Sequence, residues 1–284
     1  MTQEHHLIPM AICYDFDGTL APGNMQEYGF IGELGMTPQN FWSKSNKMAQ
    51  VQKADGISAY MKMMKEESSA HDLPFKRADF QRYASQVQLF DGVDTWFTRL
   101  NAYALQKGIA LEHYIISSGL KEMVEGTSIA SHFKEIFASS FMYDANGVAV
   151  WPGLVVNYTN KTQFLYRINK GCLDVSDNES VNRHMNDEDK PMPFAHMIYI
   201  GDGETDIPSM KTVKREGGHT IAVYNEKIKG QRQKVKSLLG IDRADVIAPA
   251  NYQEGKQIDL FVKGIMEKII ADVHLNHLKI QLNQ

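Results

Sequence analysis

The apolar run Ile8–Tyr14 ends in two acids, Asp15 and Asp17, which are followed by Gly18 and Thr19. A near-continuous apolar run of this length is typical of a strand buried on both faces of a parallel sheet. Nothing local favours two carboxylates at its end, because burying charge costs free energy and like charges repel. A nucleophile next to an acid/base group, both near a metal ion, would supply the reason. We therefore interpret this segment as the end of a strand that carries chemistry.

Three further apolar runs predict strands, at Leu111–Ile116, Met197–Ile200 and Thr220–Tyr224. The first two end in small or polar groups, at residues 117–119 and 201–203. Helical stretches separate the runs, so the sequence predicts an α/β fold with a three-layer, Rossmann-like parallel sheet. Ligands of such sheets bind at the carboxyl ends of the strands. We therefore expect residues near positions 15, 117 and 202 to share one crevice.

Residues 23–89 show helical periodicity and almost no strand pattern. Apolar residues at helical spacing predict three helices there: Phe41, Trp42, Met48 and Val51; Ile57, Tyr60, Met61 and Met64; and Phe80, Tyr83, Val87 and Phe90. The predicted organisation is a core of residues 1–22 and 90–284 with a smaller, all-helical cap at 23–89. The cap is either a lid over the crevice or an extra packed layer without a gating role.

Two shorter patterns lie in the predicted core. A helix is expected over Leu120–Ser131, and the Asn146-Gly147 turn predicts a hairpin of Ile136–Met142 with Val148–Trp151.

Composition narrows the classes of partner. The 284 residues are 43% apolar and 23% charged, with a net charge of -4. No global positive field is present to attract nucleic acid or an anionic membrane. No apolar stretch approaches the roughly 18 residues of a membrane span. The first residues lack a basic region followed by a long apolar segment, so we expect no signal peptide and a cytoplasmic location. The composition does not predict an oligomeric state.

Four short motifs follow one another along the chain: DFDGTL at Asp15–Leu20, IISSG at Ile115–Gly119, a lysine, and YIGDGETD at Tyr199–Asp206. The lysine is best matched by Lys161, with Lys170 as a nearby competitor. In this order the motifs resemble the haloacid dehalogenase (HAD) superfamily of phosphohydrolases. The helical insertion between the first two motifs is similar to that of the phosphoserine phosphatase-like subgroup.

The resemblance implies an enzyme that acts through an aspartyl-phosphate intermediate. It assigns the nucleophile to Asp15, the acid/base to Asp17 and charge balance to Lys161. Ion-transporting relatives carry threonine at the position of Asp17, and dehalogenases lack that aspartate. The resemblance therefore favours a phosphatase, with a phosphomutase or a catalytically silent HAD-fold binding protein as alternatives.

The resemblance also implies a ligand set for Mg²⁺ and for substrate. The metal residues are Asp15, Asp17 through its backbone carbonyl, Asp202, and Asp206, the last acting through water or outer bonds. The substrate-binding residues are Ser117, Ser118, Phe16, Gly18 and Thr19. The cap lacks the glutamate and arginine pattern expected for phosphoserine, so the predicted substrate is a small phosphomonoester. Cap candidates for contacting it are Phe41, Trp42, Lys44 and Lys47.

Overall fold

The computed structural model describes residues 7–237 and 243–283. The N-terminal residues on which the signal-peptide expectation rests lie outside these ranges. The described residues form one sheet of seven strands in the order β4-β3-β2-β1-β5-β6-β7. The strands are β1 Ile8–Tyr14, β2 Ile109–Leu120, β3 Glu135–Tyr143, β4 Ala149–Leu154, β5 Met197–Gly201, β6 His219–Tyr224 and β7 Val246–Pro249.

Strand β1 lies at the centre of the sheet, between β2 and β5. Every neighbouring pair is parallel except β3 and β4, which form the predicted antiparallel hairpin. At the carboxyl end of β1, Tyr14 is in register with Ile115 of β2 and Ile200 of β5. The three motif-bearing strands therefore end at the same edge of the sheet, as the sequence predicts.

Helices cover both faces of the sheet and form the segment after β1. Their bounds are α1 Phe30–Glu33, α2 Pro38–Gln52, α3 Gly56–Ala70, α4 Arg77–Ala84, α5 Val93–Gln106, α6 Lys121–Glu125, α7 Lys161–Lys170, α8 Asn178–Asn182, α9 Ile207–Arg215, α10 Gln231–Lys236 and α11 Gln257–Leu282. Single 3-10 turns lie at Met25–Glu27, Ala130–His132, Asp187–Asp189, Phe194–His196 and Glu204–Asp206. None of the described helices combines the length and apolar character needed to cross a membrane.

Alternate residues of β1 belong to different hydrophobic clusters. Ile12 and Tyr14 pack in a cluster that also holds Phe41 and Phe80 of the helical insertion. Cys13 packs in the cluster on the other face. This is the two-sided burial that the unbroken apolar run predicts, and it confirms the three-layer α/β fold.

The insertion is helical, but its third helix is shorter than predicted. α4 ends at Ala84, so Val87 and Phe90 lie beyond it. The backbone N–H of Phe90 instead donates to the carbonyl of Leu20, 2.9 Å away, where the chain returns to the sheet. Apolar spacing extended the predicted helix because these side chains still face the core, although the backbone is no longer helical.

The predicted helix Leu120–Ser131 is wrong over more than half of its length, because α6 stops at Glu125. The next two residues explain the stop. Gly126 faces the backbone of Gln81, and a methyl group there would lie 2.4 Å from its carbonyl oxygen. The hydroxyl of Thr127 donates to the carbonyl of Val124 at 2.7 Å and competes with the helical bond.

The tip of the β3–β4 hairpin contacts the insertion. The N–H of Ala149 donates to the carbonyl of Phe75 at 2.8 Å, and that of Arg77 donates to the carbonyl of Gly147 at 3.3 Å. The rings of Phe75 and Phe141 pack edge to face, 5.2 Å apart. The helices are therefore packed against the core in this structure. The boundaries 23 and 89 remain predictions.

Candidate active site

A cavity of about 420 Å³ lies between the carboxyl ends of the central strands and the inserted helices. Asp15 and Asp17 line it from the end of β1, Ser117 and Ser118 from β2, and Asp202 from the loop after β5. Residues up to 187 positions apart in the sequence are thus brought together, because parallel strands place their carboxyl ends at one edge of the sheet. The predicted common crevice is present.

Asp15 lies at the floor of this cavity and is only 5% exposed. Its Oδ1 accepts the N–H of Phe16 at 2.8 Å and lies 3.1 Å from the Nζ of Lys161. Burial raises the pKa of the Asp15 carboxyl, and the ammonium of Lys161 counteracts that rise. A carboxylate held between an N–H and an ammonium keeps one oxygen available as a nucleophile.

Lys161 is fully buried at the first turn of α7. Its Nζ also lies 2.8 Å from the Oδ1 of Asp206. Burial opposes the charged form, but the two carboxylates raise the pKa of Lys161 above its ordinary value, so it stays charged. Lys170 is at the other end of the same helix, where its Nζ donates to the carbonyls of Val181 and Arg183. The structure therefore brings Lys161, and not Lys170, to Asp15.

Asp206 is fully buried and uses both of its oxygens within the protein. Its Oδ1 accepts from Lys161 and from the hydroxyl of Tyr199, the latter at 2.7 Å. Its Oδ2 accepts a long bond of 3.4 Å from the N–H of Gly203. These bonds suit a residue that fixes the position of Lys161 and of the loop at Gly203. The role of Tyr199 was not predicted, although its position at the start of the YIGDGETD motif was a signal.

Asp17 lies two residues beyond Asp15 and faces the same cavity. Its Oδ1 accepts the N–H of Met25 at 2.9 Å. Burial, followed by repulsion from Asp15, raises the pKa of the Asp17 carboxyl well above its ordinary value. A carboxyl that keeps its proton beside an ionised neighbour is suited to act as a general acid.

Three carboxylates could hold a metal ion. One oxygen from each of Asp15, Asp202 and Asp206 lies within 4.8 Å of the others. Burial and repulsion from the other two acids raise the pKa of Asp202 to about 8. A methyl group at Gly18 would lie 2.1 Å from the Oδ2 of Asp202, so only glycine leaves room for this carboxylate. Closely spaced oxygen donors with unbalanced negative charge fit a hard divalent cation.

The β2 end supplies small polar groups. Ser117 is fully buried, and its Oγ accepts the N–H of Gly119 at 3.0 Å. The carbonyl of Ser118 accepts the hydroxyl of Tyr60, which reaches across from α3 over 2.7 Å. Tyr60 was predicted only as part of an apolar helix face, since periodicity does not distinguish packing from site contact. Its hydroxyl ties the insertion to this loop.

The residues beside the two acids, Phe16, Gly18 and Thr19, differ in whether they reach the cavity. Gly18 lines the cavity, whereas Phe16 and Thr19 are buried beneath it. The carbonyl of Phe16 accepts the N–H groups of Thr19, Leu20 and Ala21, which forms the turn after β1. The carbonyl of Thr19 accepts the hydroxyl of Tyr252 at 2.9 Å. Among Phe16, Gly18 and Thr19, which were predicted to bind substrate, only Gly18 lines the cavity.

Of the cap candidates, Trp42 alone lines the cavity, and its Nε1 donates to Glu27 at 2.8 Å. Phe41 is fully buried against neighbouring rings. Lys44 is exposed and pairs with Glu67 at 3.4 Å, and Lys47 is also exposed. The sequence did not show which of these α2 residues would line the cavity, because adjacent residues of a helix point in different directions.

Comparisons with known proteins agree with this geometry. The profile of haloacid dehalogenase-like hydrolases matches residues 12–211. An uncharacterized protein of Borreliella burgdorferi is 26% identical over 302 aligned positions, covering 96% of this chain and 100% of that protein.

Two solved structures share the fold. A HAD family hydrolase from Salmonella enterica serovar Typhi has a TM-score of 0.53 and 18% identity, covering 79% of this chain and 66% of that one. A substrate-bound phosphoserine phosphatase has a TM-score of 0.55 and 14% identity, covering 90% and 97%. Because the family profile spans more than half of the sequence, the chain belongs to the haloacid dehalogenase-like hydrolase family.

Proposed function

We propose that this protein hydrolyses a small phosphomonoester through a phosphorylated Asp15. One observation carries the proposal: Asp15 is held by a buried lysine at 3.1 Å on the same cavity floor as Asp17, whose pKa is strongly raised. Phosphoryl transfer needs mainly positioning and charge stabilisation, which these groups would supply. The fold shared with a phosphoserine phosphatase supports this reading.

In the first step, an oxygen of Asp15 attacks phosphorus while the bond from phosphorus to the leaving oxygen breaks. Asp17 gives its proton to that oxygen, so the product leaves as a neutral alcohol. In the second step, the Asp17 carboxylate takes a proton from a water that attacks the phosphorus of phospho-Asp15. The bond between phosphorus and the Asp15 oxygen breaks, inorganic phosphate leaves, and both aspartates return to their starting states. Lys161 would balance the charge of the transferring group throughout.

Mg²⁺ is the cofactor we propose for the acidic cluster. Asp15 and Asp202 would hold it directly, and Asp206 would support it through the surrounding bonds, since both of its oxygens already have partners. When bound, Mg²⁺ neutralises the charge that collects on the phosphoryl oxygens. The predicted contribution of the Asp17 carbonyl and the phosphate contacts of Ser117 and Ser118 belong to the same proposal.

The test is release of inorganic phosphate from p-nitrophenyl phosphate, with Mg²⁺ and with excess chelator. Asp15→Asn is expected to abolish release because the amide is not a nucleophile, and the chelator is expected to do the same for the native protein. Asp189→Asn, on an exposed position, is the matched control. Retained phosphate release by Asp15→Asn would overturn the proposed nucleophile.

A further inference from the structure

Gln26, a residue in the lining of the active-site cavity, has a buried amide oxygen without a hydrogen-bond partner. Gln26 lines the cavity, yet the residue is only 1% exposed. Its Oε1 is buried without a hydrogen-bond partner. A buried amide oxygen without a partner is unfavourable, because it has lost the hydrogen bonds that water would give it. A ligand group that pairs with it would recover that free energy.

Gln26 is held next to the proposed general acid. It is the middle residue of the 3-10 turn Met25–Glu27, nine positions after Asp17. The N–H of Met25 donates to the Oδ1 of Asp17 at 2.9 Å. The backbone that carries Gln26 is therefore fixed relative to the carboxyl that would protonate the leaving oxygen. A group attached to that oxygen would lie within the same part of the cavity.

The inserted helices contribute no charged side chain to this cavity. Trp42, Ile57 and Tyr60 contribute apolar surface from the inserted helices. No lysine, arginine or histidine occurs among the described residues that line the cavity, whose charged members are all aspartates. Lys161 lies beneath Asp15, and Lys234 acts on Asp202 without lining the cavity. An anionic substituent on the leaving group would therefore meet carboxylates without a compensating cation in the wall.

We infer that the leaving group of the substrate is an uncharged alcohol carrying a further hydroxyl or amide that pairs with Gln26. The inference rests on the proposed phosphatase function and adds its substrate class. The cavity lining disfavours a second phosphate or a carboxylate, because its charged members are all aspartates. An amide can both donate and accept, so it matches a neutral polar group better than an ion.

Three phosphomonoesters with three-carbon chains test this class: glycerol 3-phosphate, propyl phosphate and 3-phosphoglycerate. The first carries neutral hydroxyls, the second none, and the third a carboxylate. We expect kcat/KM for glycerol 3-phosphate to exceed that for propyl phosphate by about tenfold, the worth of one hydrogen bond. We expect 3-phosphoglycerate to be the poorest of the three.

Gln26→Met keeps the side-chain length but removes the amide. It is expected to abolish the advantage of glycerol 3-phosphate over propyl phosphate, whereas Gln50→Met, on an exposed position of α2, is expected to retain it. Equal values for the two esters in the native protein, an advantage that survives Gln26→Met, or a preference for 3-phosphoglycerate would each overturn the inference. If the variant fails to fold, the kcat/KM values of the native protein for the three esters still test the proposed substrate class.

Failure of the inference is distinct from failure of the proposed function. If p-nitrophenyl phosphate is hydrolysed and the three esters do not follow the expected order, only the substrate class is wrong. If neither p-nitrophenyl phosphate nor any of the three esters releases phosphate, the proposed function and the inference both fall.

Discussion

Replacing Lys161 by methionine should destabilise the protein strongly, because it removes the cation that two buried carboxylates share. The Nζ lies 3.1 Å from Asp15 and 2.8 Å from Asp206. At an effective dielectric constant of about 20, each attraction is worth about 5 to 6 kcal/mol, and burial of the ammonium offsets much of it. Breaking a buried ion pair by removing one partner costs about 3 to 5 kcal/mol. We expect Lys161→Met to lower the free energy of unfolding by that amount.

Lys170→Met is the matched control, because it removes a lysine from the same helix. Lys170 donates to two backbone carbonyls and contacts neither carboxylate, so the expected loss is below about 2 kcal/mol. The measurement is urea unfolding of the native protein and both variants at pH 7 with excess chelator, which removes any contribution from bound metal.

The loss should also depend on pH. Burial raises the pKa of Asp15, and Lys161 counteracts that rise, so the variant raises this pKa further. A folded-state pKa above the unfolded value gives stability that increases as pH falls. The penalty of Lys161→Met should therefore be smaller at pH 5 than at pH 8. Losses that are equal for the two lysine variants, or a penalty that grows toward acid pH, would refute this reasoning.

Two further substitutions test other parts of the structure. Gly18→Ala should raise the Mg²⁺ concentration needed for half-maximal phosphate release and lower the free energy of unfolding by about 1 to 3 kcal/mol. The reason is that the added methyl group would lie 2.1 Å from the Oδ2 of Asp202. Gly108→Ala imposes a similar backbone strain at φ +78° with open space around it, so a titration of phosphate release against Mg²⁺ should show no change; equal shifts would contradict the clash. His113 accepts from Tyr14 and bonds to Asn101, and burial lowers its pKa to about 3. The unfolded chain binds this proton near pH 6.5, so the native protein should lose about 1.4 kcal/mol per pH unit relative to His113→Gln between pH 6 and pH 4. Urea unfolding across this range measures the difference, and parallel pH dependences would show that His113 is not held neutral.

Local patterns predicted the described strands except β7, which has only four residues, and they predicted the acids at the strand ends. The unbroken apolar run before Asp15 specified a strand buried on both faces, and the small and polar residues 201–203 specified another strand end. Parallel pairing then brought the two acids to one edge. Such features depend on residues within a few positions of one another, so they are readable from one sequence.

Helix ends were harder to predict, because contacts from distant residues decided them. α6 stops where Gly126 meets the backbone of Gln81, 45 positions earlier in the chain. α4 stops although Val87 and Phe90 continue its apolar spacing. In both places, packing against the core took precedence over the local periodicity.

The sequence by itself determined that Asp15, Asp17 and Asp202 are the ends of strands in a parallel sheet, since strand burial and strand termination are local properties. Only the tertiary structure decided between Lys161 and Lys170. Both occur on α7, and which ammonium reaches Asp15 depends on how that helix crosses the sheet. The same holds for Gln26, because only the tertiary structure shows that its amide oxygen is buried without a partner beside the cavity.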